Sequence, residues 1–265
     1  MVKKLFKHEF AAYWRVLIPA WIALMGVSVM GRLIQFLESD STVYAIVNGS
    51  SMVFYAIAIL VAIAFPFVYG IIRFYRNLFT GEGYLTFTLP VTPAQHIWVK
   101  VLTATALQFA SLAVVALSAA VMTAGELLVE VWKAAAYLLG RVHEAIGGHL
   151  VWFIIEGLLF LIVATLYVTL FYDGCITIGQ LFRKNRVLAA VGVFFGFYML
   201  EQIIGTCGVI VAAFINWDSL VMFIIENIYL CAHVGAWLII VLYAVLGLVF
   251  YVITHTIIRK RLNLE

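Results

Sequence analysis

The chain has 265 residues, is 66% hydrophobic and only 11% charged, and its mean hydropathy is +1.12. A soluble domain carries roughly 25% charged residues, so this chain cannot cover itself with a polar surface and reads as an all-α polytopic membrane protein. Its net charge of +3 is small, and its three cysteines lack C-x-x-C spacing, which argues against a disulfide framework and a zinc site.

Residues 2–15 come first. Val2, Leu5, Phe6, Phe10, Tyr13 and Trp14 recur at helical spacing, with Lys3, Lys4 and Lys7 on the other side. This pattern predicts a short amphipathic helix in the membrane interface, its basic face suited to anionic lipid, or a simple charged anchor for the span that follows. The apolar run behind it is too long for a cleaved signal and is expected to be retained.

A span needs about 20 apolar residues to cross roughly 30 Å of hydrocarbon. Six stretches qualify, near 16–37, 51–72, 100–124, 150–172, 187–213 and 234–257, and together they form one expected transmembrane domain over 1–265. An even number of spans puts both termini on one side. Thirteen of the sixteen Lys and Arg fall on that side, and Arg32, Lys133 and Arg141 fall on the other. The positive-inside rule makes the first side cytoplasmic.

Arg73 to Lys100, between the second and third spans, is the longest interruption of the apolar first half. Basic residues mark its ends, and Gly81, Gly83, Pro90 and Pro93 break its backbone. Its interior is nonetheless apolar, with Phe79, Tyr84, Leu85, Phe87 and Leu89. Such a loop is either a docking surface for a soluble partner or a segment folded onto lipid headgroups, which aromatic residues also favour. Thr86–Leu89 alternates as a strand would, over too short a run to decide. Thr92, Pro93 and Gln95 predict a capped helix start leading into the third span.

Residues 125–146 have an apolar face through Leu127, Val131, Ala135, Leu138 and Val142, and predict an outer amphipathic helix stopped by Gly147 and Gly148. Residues 214–233 are apolar but divided by Asp218 and Glu226. A re-entrant hairpin suits them better than a seventh span, which would carry the basic C-terminus outside.

Three ionisable residues fall inside spans, where a charge at the centre costs about 2.5–3.5 kcal/mol. Arg32 and Glu156 lie at similar depth near the outer ends of their spans; they can pair, or each can snorkel outward alone. Glu201, with Gln202 beside it, is near the middle of the fifth span and is a pathway candidate, or a structural hydrogen-bonding group. The same span carries Gly192, Gly196, Gly205 and Gly208, which allow close helix packing. No nucleotide-binding or hydrolase motif is present, the six histidines lack metal-ligand spacing, and no nucleic-acid-binding signal rises above the basic flanks. The expectation is therefore no catalytic site, no metal and no cofactor on this chain.

The run Arg73-Phe74-Tyr75-Arg76-Asn77-Leu78-Phe79, followed by Gly81-Glu82-Gly83-Tyr84-Leu85-Thr86-Phe87-Thr88-Leu89-Pro90-Val91, resembles permease subunits of bacterial ATP-binding-cassette (ABC) exporters. It is similar to the small six-span permeases of Firmicutes, of the ABC type 2 class. Their corresponding loop reads Phe-Tyr-x-x-Leu, then Glu-Gly-Tyr-Leu-x-Phe-Thr-Leu-Pro, with a lysine at the third span, the place Lys100 fills here. Elsewhere the resemblance is one of layout: a basic amphipathic N-terminus, six spans and a membrane-dipping segment before the last. It implies a separate cytoplasmic ATPase that carries ATP and Mg, docked on Glu82, Gly83, Tyr84, Leu85, Phe87, Leu89 and Pro90. It also implies a second permease subunit, identical or paralogous, and a multi-pass location in the bacterial plasma membrane. An ion-coupled secondary transporter or channel using Glu201, and a non-transporting anchor or immunity protein, are the rival expectations. The lack of detectable inverted repeats counts against the first of these.

Overall fold

A computed structural model describes residues 2–37, 39–81, 83, 90–182, 184–214 and 217–261, with the side chains of 126, 127, 218, 219 and 261 outside that description. The described residues form eight helices and no strand: α1 (Val2–Phe36), α2 (Thr42–Phe79), α3 (Pro93–Met122), α4 (Glu126–Ile146), α5 (His149–Gly179), α6 (Arg186–Ala213), α7 (Trp217–Glu226) and α8 (Ile228–Arg261). Six of them, α1, α2, α3, α5, α6 and α8, are long and apolar enough to cross a membrane. The chain is an all-α polytopic membrane protein. Long uninterrupted helices follow from the medium, because only hydrogen bonds closed within the segment satisfy backbone groups in hydrocarbon.

Two boundaries differ from the sequence expectation. Residues 2–15 are not a separate interfacial helix but the first turns of α1. At 35 residues, α1 is roughly 50 Å long, more than the hydrocarbon requires. Pro19 lies inside it without ending it, on an exposed face. The amphipathic pattern itself holds: Lys3, Lys4 and Lys7 are exposed, whereas Glu9 and Tyr13 are buried. Likewise, the connection expected over 73–99 is helical at both ends, since α2 continues through Phe79 and α3 begins at Pro93. Between Arg73 and Gly81 there is no glycine or proline, so nothing there stops α2 at the membrane edge.

Packing divides the chain into two compact units, 1–74 with 90–147, and 75–89 with 148–265. In the first unit α1 and α3 run parallel. Their contacts advance together along both helices, from Glu9 against Lys100, through a Trp21 Nε1 donation to Ser111 Oγ at 2.9 Å, to Gly31 against Met122. Helix α2 runs the opposite way and contributes Phe65 and Tyr69 to a core of Tyr13, Leu17 and Leu107. Tyr69 meets Tyr13 edge-on, at 4.9 Å between centroids.

In the second unit α5 and α8 are the parallel pair, with Gly174 against Phe250 and Gly247 against Tyr167. Helix α6 is antiparallel to α5 and approaches it so closely that a Cβ on Gly179 would stand 2.7 Å from the Ala190 backbone. Rings from all three helices meet around Phe250, which lies 5.0 Å from Phe171 and 5.1 Å from Phe197.

The connecting elements follow local chemistry. Thr92 caps α3, taking the Gln95 N–H at 3.4 Å while Gln95 Oε1 takes the Thr92 N–H at 3.1 Å, the expected reciprocal capping box. Helix α4 ends at Gly147, whose φ of +60° suits glycine and whose N–H returns to His143 O at 2.7 Å. In the stretch expected to be re-entrant, α7 has ten residues, too few to cross a bilayer. A turn at Asn227 separates it from α8.

Candidate functional site

The base of the 73–99 segment is held by one acid. Glu9 lies on the α1 stripe that also carries Tyr13 and Leu17, so its carboxylate enters the packed side of the helix, and it is only 4% exposed. Its two oxygens are taken by different cations from different helices. Arg73 Nε of α2 reaches Oε2 at 2.5 Å, and Lys100 Nζ of α3 reaches Oε1 at 2.7 Å. Arg73 and Lys100 are the residues at which the connection leaves and rejoins the spans. Removing one partner from a buried charge group leaves an uncompensated charge, so the three hold one another in place. The Arg73 guanidinium also lies over the Tyr13 ring, at 6.0 Å, a geometry in which the ring quadrupole attracts it.

Of the residues expected to dock a partner, Gly83 and Pro90 are described. Gly83 is buried and donates its N–H to Thr80 O at 2.7 Å, and Pro90 is exposed. Glu82, Tyr84, Leu85, Phe87 and Leu89 lie outside the described residues, as does the strand-like alternation through Leu89.

Glu201 lies on α6 facing a partner helix of its own unit: Tyr167 of α5 donates its hydroxyl to Glu201 Oε1 at 2.8 Å. Glu201 and Gln202 are both exposed, and no residue of α6 is buried. A Cβ placed on Gly192, Gly196, Gly205 or Gly208 would meet nothing within 4 Å, so these glycines serve no close approach among the described residues.

The pair expected between Arg32 and Glu156 would join the two units; within its own unit each has other company. Arg32 Nη1 donates to Gln35 Oε1 at 3.0 Å, and its guanidinium stacks on Phe36 at 4.5 Å. Glu156 of α5 is 4% exposed, and both its oxygens lie 2.9 Å from His233 Nδ1 of α8. His233 Nε2 in turn lies 3.1 Å from Nδ1 of the exposed His149, the first residue of α5.

Sequence reasoning left out Glu9, Tyr167, His149 and His233. Glu9 had a visible signal, an acid inside an apolar helical stripe. The two histidines lie 84 residues apart and had none. No cluster of three or more His, Cys, Asp or Glu suited to a metal ion occurs among the described residues. Comparison of the chain with protein-family models, with curated proteins and with solved structures gives no match.

Proposed function

We propose that this chain is the membrane permease subunit of an ABC exporter, coupled through residues 73–99 to a separate cytoplasmic ATPase. The observation that carries this reading is the Glu9–Arg73–Lys100 cluster. A coupling segment must move with the spans it controls, and its two roots are tied by buried ion pairs to the same carboxylate on α1. The resemblance of Glu82–Pro90 to the permease loop supports the direction of coupling, and the Thr92 capping box gives α3 a defined start beyond the connection. ATP and Mg belong to the partner chain. Both termini face the cytoplasm of a bacterial plasma membrane in this reading.

The exposed α6 supports a second permease subunit. Its glycines are open to close approach by another helix, which is how small residues act in membrane association. Glu201 and Gln202 then line the path between the two subunits. Purification of tagged protein from native membranes, with mass spectrometry of what accompanies it, tests the reading. The wild-type chain is expected to retain an ABC ATPase. Joint Tyr84→Ala and Phe87→Ala substitution is expected to lose it while insertion is unaffected, because apolar aromatic anchors dominate interface energies. Recovery of no ATPase with the wild type, or equal recovery with the double variant, refutes the coupling role.

A further inference from the structure

We propose that Glu156, His233 and His149 form a proton relay that lets a carboxylate buried in a membrane span exchange its proton with water at the His149 end of α5. The three groups form one hydrogen-bonded line. Glu156 Oε1 and Oε2 lie 2.9 Å from His233 Nδ1, and His233 Nε2 lies 3.1 Å from His149 Nδ1. The line also runs from the packed interior to the surface of the chain at the first residue of α5: Glu156 is 4% exposed, His233 is half-buried and His149 is exposed. A carboxylate needing only a structural partner would be satisfied by His233. A second imidazole aligned end to end with the first, and reaching the surface, gives the proton a way in and out.

Both imidazole planes are held by stacking. His149 lies on Tyr229 at 4.5 Å with the rings nearly parallel, and His233 lies on Phe153 at 4.3 Å. Tyr229 is the titratable neighbour of the group, contributed by α8; Phe153 of α5 is apolar. From α6, Glu201 is bonded instead to Tyr167. Among the described residues no other group is bonded or stacked to the three.

An imidazole can accept a proton on one nitrogen while releasing one from the other. In the resting tautomers His149 donates from Nδ1 to His233 Nε2, and His233 donates from Nδ1 to the Glu156 carboxylate. A proton arriving from water binds His149 Nε2. His149 passes its Nδ1 proton to His233 Nε2, and His233 passes its Nδ1 proton to Glu156. One proton enters, the carboxylate becomes the acid, both imidazoles end neutral in the opposite tautomer, and the reverse sequence discharges the site. Loading and unloading a carboxyl group inside the membrane is the chemistry of a proton-linked transport or gating step. This inference stands apart from the coupling role of residues 73–99.

The test is time-resolved infrared spectroscopy of the full chain in lipid nanodiscs after a pH jump from about 8 to about 4, which crosses the ordinary imidazole and carboxyl ranges. Acidification is expected to produce a protonated-carboxyl stretch that E156Q lacks. H149F keeps an aromatic ring against Tyr229 but cannot carry a proton. It is expected to leave the size of that signal unchanged and to slow its appearance roughly a hundredfold, the scale on which a positioned acid–base group acts. H233Q is expected to slow it as well, with unchanged helical content as the check on folding. Absence of any carboxyl signal assignable to Glu156, or equal rates in wild type and H149F, overturns the relay. Because His149 is exposed, a merely structural contact would not make the exchange rate of Glu156 depend on it.

Discussion

Glu9 shows how much one residue can organise. It is an acid placed where the α1 stripe calls for an apolar side chain, and it is tolerated because two cations meet it there. Glu9→Ala is expected to leave Arg73 and Lys100 facing each other without their shared anion, a change of the kind that costs about 3–5 kcal/mol. Thermal unfolding of the purified protein in detergent, followed by circular dichroism, measures this. Lys7→Ala, on the exposed side of the same helix, is the control and is expected to stay within about 0.5 kcal/mol of the wild type. A Glu9→Ala protein as stable as the Lys7→Ala protein would show that the cluster holds nothing together. Glu201 is the contrasting case: its mid-span position was legible, whereas the Tyr167 hydroxyl it accepts was not.

At the scale of elements, glycines separate into those that bring helices together and those that do not. Gly179 lets α5 approach the α6 backbone at Ala190, where a Cβ would stand 2.7 Å away. Backbone cannot move aside as a flexible side chain can. Gly179→Ala is therefore expected to push α5 and α6 apart and to destabilise the unit by about 1–3 kcal/mol. Gly196→Ala, with nothing within 4 Å, is expected to be neutral or slightly stabilising in the isolated chain. Unfolding of both variants in detergent distinguishes the positions, and equal stabilities would contradict the close packing at Gly179. The spacing of glycines along α6 suggested close contact for all of them, but close contact also requires another helix at that height.

At the scale of the whole chain, the two units share a plan. Each contains three long helices, the first and third parallel and packed side by side, the second running the opposite way. Amphipathic α4 comes last in the first unit, with Trp132, Tyr137 and Leu138 exposed, side chains of the kind that suit a helix to a lipid surface. The distribution of Lys and Arg predicts its side of the membrane. Single cysteines at Thr80 and Gly140, in a background without Cys175, Cys207 and Cys231, are expected to react with an impermeant maleimide from opposite sides of intact cells, Gly140 from outside. Reaction of both from outside would refute the predicted orientation and, with it, the cytoplasmic position proposed for residues 73–99.

The amino-acid sequence by itself determined the class, the six crossings, the capped start of α3 at Thr92, the amphipathic α4 and its stop at Gly147. These depend on the length of apolar runs and on bonds between residues a few positions apart, and both are written in linear order. Tertiary structure decided which polar side chains meet. Glu9 finds Arg73 and Lys100 at separations of 64 and 91 residues, and Glu156 finds His233 at 77. It also decided that residues 2–15 continue into the first span rather than lying apart from it. Membrane depth, read from sequence, says how far along its helix a residue stands. Partnership depends in addition on how each helix is rotated about its axis and slid against its neighbour. Those two quantities are set by side-chain packing between helices and have no counterpart in the spacing of residues along one of them.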